Sequence, residues 1–496
     1  MEEFLNYING KWVPSSSKET FENRNPADRD DLVGTFPKST KADVEEAIEA
    51  AKKAYVSWSK TPAPKRADIM RRAGEIMERE KENLARLMTR EMGKVLKETR
   101  GDVQEGIDTA FFAFGEGRRM HGETVPSELS RKSAYVLRRP MGVWGLITPW
   151  NFPIAIPSWK VFPAILSGNT VVLKPASDTP ASSARLVKIL EEAGLPPGVV
   201  NLVTGSGSIV GEALLNSSDI RGISFTGSSE VGRRIAEVCG RTLKRVSLEM
   251  GGKNAQIVLE DANLELALEG VLWGAFGTTG QRCTATSRLI VQESIYNKFI
   301  EMLVERAKKI KIGNGLDESV EMGPIINEHQ RTTIHGYVEI GKSEGARLLI
   351  GGEYYEEGEA EKGFFYKPTI FDNVSPDMRI AQEEIFGPVL SVIKVKDFKE
   401  AIEVMNNVKY GLSSSIYTQD VNKAMMAIED IEAGITYVNG PTIGAECHLP
   451  FGGVKDTGNG HREGGWTVYD IFTEVKTVYI DYSGKLQKAQ IDTYDS

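Results

Sequence analysis

Cys283 is the cysteine whose surroundings best suit chemistry. It lies in a polar turn between a predicted helix and a predicted strand, directly after Arg282. A neighbouring cation favours the thiolate, which is the nucleophilic form of cysteine. Cys239, in contrast, falls in an amphipathic helical segment and is predicted to be buried packing. Nucleophilic catalysis by Cys283 is therefore a hypothesis, and a cysteine protease that uses His448 or His461 stays open as an alternative.

Two other polar residues could assist such a nucleophile. Glu249 is the last residue of an apolar strand pattern and precedes Met250 and two glycines. A carboxylate in that place is either a paired structural ion or a base with a shifted pKa, and spacing alone leaves both readings open. Asn151 either caps the next helix or donates to an oxyanion, and capping is favoured from the residues alone.

Glycine-rich turns follow several strand patterns and could bind phosphate. Residues 225–232 join a strand to a helix, so their N–H groups can receive a phosphate at the helix N-terminus. The turn at 205–211 places its third glycine one residue beyond the usual dinucleotide-binding spacing. Lys174 ends another strand, at the edge where α/β sheets bind ligands. Each signal is weak alone, but all three fall within one series of βαβ units.

The elements that must position these residues alternate between strand and helix. Alternation from residue 142 onward, and again from about 263 to 439, predicts an α/β fold with two domains in tandem, each built on a parallel sheet. Strands are expected at 143–147, 171–173, 199–203, 222–225, 246–248 and about 286–292, and helices at about 182–193, 208–216, 229–239 and 264–277.

Before and after this core, the pattern predicts helices and an edge-pairing segment. Thr40 and Asp43 form a capping-box pattern ahead of an amphipathic helix, and a long helix is expected over 65–95. The polar segment 122–141 and the alternating stretch 473–481 are expected to form an arm that pairs with another subunit. An ordinary surface hairpin is the alternative.

Composition excludes several classes of function. The chain has 496 residues, with 60 Lys and Arg against 69 Asp and Glu, and its formal net charge of −9 argues against a nucleic-acid binder. Three cysteines are too few for a disulfide framework, which favours a reducing compartment. Cysteine and histidine do not occur at zinc-binding spacing, so no metal site is expected. With no long apolar run, we expect a cytoplasmic protein without a membrane segment.

Taken together, the motifs resemble those of the aldehyde dehydrogenase superfamily over essentially the whole chain. They are TPWNFP at 148–153, KPASDTP at 174–180, FTGSSEVG at 225–232, LEMGGKN at 248–254, GQRC at 280–283, EEIFGP at 383–388, PFGG at 450–453 and EVKTV at 474–478. The resemblance implies two Rossmann-like α/β domains and a β oligomerisation arm, in a homodimer or homotetramer. It implies an NAD(P)-binding domain of residues 1–121 and 142–252, a catalytic domain of 253–456, and an arm of 122–141 with 457–496.

The same resemblance implies a role for each candidate residue. Cys283 matches the nucleophile that forms a thiohemiacetal and then a thioester, Asn151 with the Cys283 N–H matches the oxyanion donors, and Glu249 matches the base for deacylation. The cofactor-binding residues it implies are Lys174 at the adenosine ribose, Glu384 with Phe386 at the nicotinamide ribose, Gly227 and Ser228 at the pyrophosphate, and Trp150 and Met250 along the cofactor path.

The substrate and the cofactor preference follow from finer features. The stretches 102–105, 280–284 and 441–446 resemble two branches, the α-ketoglutaric and the α-aminoadipic semialdehyde dehydrogenases, and the loop 447–450 departs from the second. Arg282, Glu105, Gly444 and Ala445 are therefore expected at the outer end of the aldehyde tunnel, where an arginine and free N–H groups suit a carboxylate. A salt bridge between Glu105 and Arg282 at the surface is the alternative.

Ser177 bears on the choice between the two nicotinamide cofactors. NAD-preferring relatives often carry glutamate at this position, where its charge repels a 2′-phosphate. A small neutral serine near Lys174 predicts that NADP is accepted and even preferred, with NAD also used.

Two rival functions come from other classes. A CoA-acylating semialdehyde dehydrogenase would need no base, and Glu249 argues against it. A catalytically silent binding protein would not need the set of residues quoted above.

Overall fold

The N-terminal part of the chain supplies four strands and four helices, and the computed structural model describes residues 2–491. These elements are β1 (Asn6–Ile8), β2 (Lys11–Val13), β3 (Thr20–Asn25), β4 (Asp28–Pro37), α1 (Lys41–Trp58), α2 (Ala63–Arg79), α3 (Lys81–Met92) and α4 (Leu96–Glu116). Thr40 caps α1 and forms the predicted capping box with Asp43. The single helix predicted over 65–95 is wrong, because Glu80 leaves helical geometry (φ −95°, ψ 6°) and separates α2 from α3.

The first parallel sheet follows a short antiparallel segment. The elements are β5 (Thr124–Pro126), β6 (Lys132–Pro140), β7 (Val143–Ile147), α5 (Ala155–Leu166), β8 (Thr170–Lys174), α6 (Pro180–Glu192), β9 (Val200–Leu202), α7 (Glu212–Asn216), β10 (Ile220–Thr226), α8 (Ser229–Thr242) and β11 (Arg245–Glu249). The sheet order is β11-β10-β7-β8-β9-β1-β2, with β1 antiparallel to β9. The predicted strands are confirmed, whereas the helix expected at 208–216 begins with a π-helical turn, Gly207–Gly211.

The later part of the chain supplies the second sheet and the elements around it. They are β12 (Asn254–Val258), α9 (Leu264–Phe276), β13 (Thr286–Gln292), α10 (Tyr296–Ala307), α11 (Glu328–Ser343), β14 (Arg347–Ile350), β15 (Thr369–Asp372), α12 (Arg379–Gln382), β16 (Val389–Val395), α13 (Phe398–Asn406), β17 (Tyr410–Gly411), β18 (Ser413–Tyr417), α14 (Val421–Asp430), β19 (Ile435–Val438) and β20 (Val454–Lys455). The order of this sheet is β14-β15-β16-β13-β12-β18-β19, in which β14 runs antiparallel to β15 and the other neighbours are parallel, whereas β17 and β20 form a separate two-stranded antiparallel sheet. An α/β fold with two parallel sheets is thus confirmed.

The last helix and strand in the described residues are α15 (Val468–Phe472) and β21 (Thr473–Asp481). β21 pairs with β6 along its whole length, and β5 covers the other edge of β6, so the predicted strand at 473–481 is confirmed. Met1 and residues 492–496, parts of the predicted first domain and arm, lie outside the described residues. The domain boundaries themselves stay predictions. Within residues 2–491, no helix is both long and apolar enough to cross a membrane.

Packing places the polar strand ends together. Helices cover both faces of the first sheet, as buried parallel strands require, and separate apolar clusters fill each side. The carboxyl ends of β7, β8, β10 and β11 meet at one edge. At this edge Asn151 bonds to Gln281 and Gly252 bonds to Glu384, so the second sheet's loops close over it.

Candidate active site

Cys283 is positioned by a left-handed turn after α9. Thr278, Thr279 and Gly280 have φ values of 51°, 57° and 68°. A Cβ on Gly280 would lie 2.2 Å from the carbonyl oxygen of Gly387, so this position requires glycine. Cys283 is partly exposed and packs beside an apolar cluster that includes Trp159, Leu412 and Phe451.

The thiol of Cys283 is not biased towards the thiolate in this structure. Burial, and then the carboxylates of Glu384 and Glu249, raise its pKa to about 12, and the lowering effect of Arg282 is smaller than these. Arg282 therefore favours the thiolate, as expected, but burial and the two carboxylates outweigh its effect. The backbone is nevertheless firmly held, since the Asn254 side chain donates to the Cys283 carbonyl at 2.8 Å.

Asn151 does not cap the next helix. The helix α5 begins at Ala155, whose N–H is accepted by Asp102 at 2.7 Å. The buried Asn151 amide instead donates to the carbonyl of Gln281 at 3.2 Å, two residues before Cys283. The capping reading is thus wrong, and the amide lies beside the nucleophile turn.

Glu249 is a buried carboxylate without a direct partner. It ends β11, it is 3% exposed, and within residues 2–491 neither oxygen accepts a hydrogen bond. Burial, and then the charge of Glu463, raise its pKa well above the ordinary value, while Lys160 and Arg462 oppose this. Lys160 pairs with Glu463 and donates to Ser224 at 2.8 Å, rather than to Glu249. The reading as a paired structural ion is therefore wrong, and a base with a shifted pKa fits.

The turn between β10 and α8 has the geometry of an anion site. Ser228 caps the 14-residue helix α8, and Gly227 precedes it. A Cβ on Gly227 would lie 2.6 Å from the Phe225 ring, and one on Gly232 would lie 2.3 Å from Met250 Sδ. A side chain at either position would therefore displace Phe225 or Met250, and the helix N-terminus attracts negative charge.

Lys174 and Ser177 lie at the carboxyl end of β8. The buried Lys174 ammonium donates to the Pro175 carbonyl at 2.7 Å, and burial lowers its pKa to about 8. Ser177 is exposed and donates to the Gly205 carbonyl at 3.2 Å. This polar edge lies next to the turn at 205–211.

Glu384, Phe386 and Trp150 meet across the two sheets. Glu384 accepts the Gly252 N–H at 3.0 Å, and a Cβ on Gly251 would lie 2.1 Å from its other oxygen. Burial raises the pKa of Glu384 to about 7. Phe386 has φ 58°, and its ring lies edge-on to Trp150 at 5.3 Å between centroids.

Arg282 pairs with a residue that the sequence did not single out. Its guanidinium lies 3.5 Å from Glu98 and above the rings of Phe152 and Trp273, with 13% of the side chain exposed. A surface salt bridge to Glu105 is therefore wrong. One oxygen of Glu105 is buried without a hydrogen-bond partner in the described chain, and burial raises the pKa of this carboxyl to about 8.

The loop that holds Gly444 and Ala445 borders the same apolar cluster as Cys283. Ala445 packs against this cluster, and Gly444 is exposed with φ 120°. Neither N–H has a hydrogen-bond partner within residues 2–491. Both N–H groups are thus available to an incoming acceptor.

Sequence reasoning missed Lys160, Glu463 and Glu98. Lys160 is a single charge in the otherwise apolar helix α5, which is a signal of a buried partner. Glu463 and Glu98 carry no such signal, because their partners lie about 180 to 300 residues away. No group of three or more potential metal ligands occurs in the described chain.

Comparisons with known proteins identify the family. The model of the aldehyde dehydrogenase family matches residues 12–478. The chain is 46% identical to the alpha-ketoglutaric semialdehyde dehydrogenase of Bacillus subtilis, covering 96% of this chain and 98% of the relative. It is 44% identical to the 2,5-dioxopentanoate dehydrogenase of Saccharolobus solfataricus, covering 95% and 98%. The crystal structure of Staphylococcus aureus betaine aldehyde dehydrogenase with NAD+ is similar with a TM-score of 0.95 at 35% identity, covering 97% and 95%. The chain therefore belongs to the aldehyde dehydrogenase family and is an oxidoreductase that acts on aldehydes.

Proposed function

We propose that the protein oxidises an ω-semialdehyde carboxylic acid, with 2,5-dioxopentanoate first, to the corresponding diacid with NADP or NAD. The observation that carries this proposal is the apolar cluster that joins Cys283 to Ala445, with the charge of Arg282 acting on the Cys283 thiol. An aldehyde at Cys283 then has a cation and two unpartnered N–H groups within the same region. Relatives named for this substrate support the choice. Aminoadipate semialdehyde, succinate semialdehyde and a broad range of aldehydes are the alternatives.

The residues at the first sheet's edge fit a nicotinamide dinucleotide. Gly227 and Ser228 present a helix N-terminus for the pyrophosphate, and Lys174 is a buried amine suited to ribose hydroxyls. Glu384 is a buried carboxylate that would accept from the other ribose. Trp150, Met250 and Phe386 would line the path between them. When bound, the cofactor supplies the hydride acceptor.

In the proposed mechanism the Cys283 thiol gives up its proton to solvent and attacks the aldehyde carbon; an S–C bond forms and the C=O π electrons move to the oxygen. The oxyanion is stabilised by the Asn151 amide and the Cys283 N–H. Once the carbon is oxidised, the product is a thioester on Cys283. Glu249 then takes a proton from water as the water oxygen attacks the thioester carbon; the C–S bond breaks, the proton passes to the leaving thiolate, and the acid is released. Burial and the charge of Glu463 raise the pKa of Glu249. This base is therefore ionised, and active, at a pH above the range in which an ordinary carboxyl ionises.

The cofactor preference rests on Ser177. It is exposed and neutral, and Lys174 lies three residues before it, so the side chain at position 177 does not itself repel a 2′-phosphate. We therefore propose that NADP is used as well as or better than NAD.

We also propose that the arm joins subunits in a homodimer or homotetramer. β21 is an edge strand whose outer residues Val475 and Tyr479 are each 65% exposed. β19 is the edge of the second sheet, and the neighbouring helix α14 exposes Val421 and Met425 at 70% and 53%. Open edges and apolar patches of this kind need a cover, which a second copy would supply. Light scattering of the wild type and of Met425→Glu tests this assembly. A monomeric wild type would refute the proposal.

The rival functions are distinguished by products. A CoA-acylating enzyme would yield an acyl-CoA and would not need Glu249, and a silent binding protein would reduce no cofactor. The deciding experiment is a kinetic panel of semialdehydes and uncharged aldehydes with both cofactors, in the presence and absence of CoA.

We also propose that the protein acts in a reducing cytoplasm, which its three free cysteines support.

A further inference from the structure

The turn before Cys283 is held in a strained conformation. Thr278 and Thr279 are β-branched residues in the left-handed region, with φ of 51° and 57°, where such side chains are rare. Strain of this kind persists where the surrounding structure over-determines it, and it clusters at functional sites. The contacts of the turn therefore indicate what holds it.

A buried carboxylate from another element binds this turn. Glu98, in the first turn of α4, is 6% exposed. It accepts the Thr278 N–H at 2.7 Å and the Thr278 hydroxyl at 3.2 Å, and it lies 3.5 Å from Arg282. Arg282 Nε also donates to the same hydroxyl at 2.8 Å. Glu98, Thr278 and Arg282 thus form a closed ring of contacts.

The remaining anchors of the turn are neutral. Thr279 donates to the Gly323 carbonyl at 2.9 Å, and Gln281 donates to the Pro324 carbonyl at 3.2 Å. Among these groups that bind the turn, Glu98 is thus the charged one. It binds both the strained Thr278 and Arg282, which precedes Cys283. Within residues 2–491 its hydrogen bonds and ion pair go to Thr278 and Arg282 and not to the Cys283 thiol, so it must act on the thiol through the turn.

We propose that Glu98 is a positioning residue, which holds the strained turn and thereby fixes both the Cys283 thiol and the Arg282 guanidinium. This inference rests on the proposed role of Cys283 as the nucleophile. It predicts that Glu98 matters for every aldehyde, whereas Arg282 matters for acidic aldehydes in particular.

The test uses Glu98→Gln, which keeps the shape and removes the charge, and Glu98→Asp as the conservative variant. Thr278→Val and Thr278→Ser probe the same ring from its other side, since only serine keeps the hydroxyl. Glu116→Gln, in the same helix α4 but paired with Arg119, is the matched control. The measurements are kcat for an acidic and an uncharged aldehyde, cofactor Kd, and iodoacetamide labelling of each cysteine resolved by peptide mass spectrometry.

We expect Glu98→Gln and Thr278→Val to lower kcat for both aldehydes by about tenfold to a hundredfold, the scale of a misplaced reacting group. Cysteine labelling at position 283 should change by about threefold or more, with Cys239, Cys447 and cofactor Kd as in wild type. Glu98→Asp and Thr278→Ser should recover part of the loss, and Glu116→Gln should lose none.

Three results would overturn the inference. They are an unchanged kcat, a loss confined to the acidic aldehyde, and equal changes in the labelling of all three cysteines, which would mean general loosening. Failure of the proposed function is separate, because it appears as substantial turnover by Cys283→Ala with Glu98 intact.

Discussion

Replacing Arg282 by alanine tests whether the substrate carries a carboxylate. The guanidinium is 13% exposed, so a charge-assisted bond from it to an acid is weakly screened by solvent. Loss of one such bond costs about 1.5–3 kcal/mol. This corresponds to a fall in kcat/KM of about 10- to 150-fold for the acidic aldehyde.

The structure adds a second consequence of this change. Arg282 also pairs with Glu98 at 3.5 Å and bonds to Thr278 at 2.8 Å, so alanine loosens the nucleophile turn for every substrate. The ratio of kcat/KM for an acidic aldehyde to that for an uncharged one removes this shared loss. We expect the ratio to fall by about tenfold or more.

The assay follows cofactor reduction by absorbance with 2,5-dioxopentanoate and with pentanal, an uncharged aldehyde of the same chain length. Arg79→Ala, which removes an exposed arginine paired with Glu192, is the control and should leave both activities unchanged. Equal losses for the two aldehydes in Arg282→Ala would refute the reasoning, and would mean that Arg282 serves the turn rather than the substrate acid.

Three further predictions concern the other site residues. Cys283→Ala should abolish oxidation and leave cofactor binding intact, as measured by fluorescence titration, whereas Cys239→Ala should stay active; substantial turnover by the first variant contradicts the nucleophile assignment. Glu249→Gln should give a burst of reduced cofactor followed by slow turnover in stopped-flow traces, and loss of the burst would show that Glu249 acts earlier. Because the Glu249 pKa is raised, the wild-type deacylation rate should increase with pH as this carboxyl ionises, and the variant should lack that dependence. Ser177→Glu should shift kcat/KM from NADP towards NAD, and a wild type strongly selective for NAD would show that this position does not decide the matter.

Local features of the sequence were enough for most of the architecture. Short apolar runs predicted the strands between 143 and 248, since parallel strands buried on both faces are apolar throughout, and residue-by-residue alternation predicted the strand at 473–481. The capping box at Thr40 was readable because both of its partners lie within three residues. The break at Glu80 was not readable, since neither glycine nor proline marks it.

The chain by itself therefore determined which residues carry reactive groups and where the sheets run. Tertiary structure alone decided the state of those groups. Burial without a partner raises the pKa of Glu249, and burial with two nearby carboxylates raises that of Cys283. Glu98 reaches Thr278 across 180 residues of sequence. Desolvation and long-range contacts depend on what surrounds a group in space, and neighbouring letters in the sequence do not specify that.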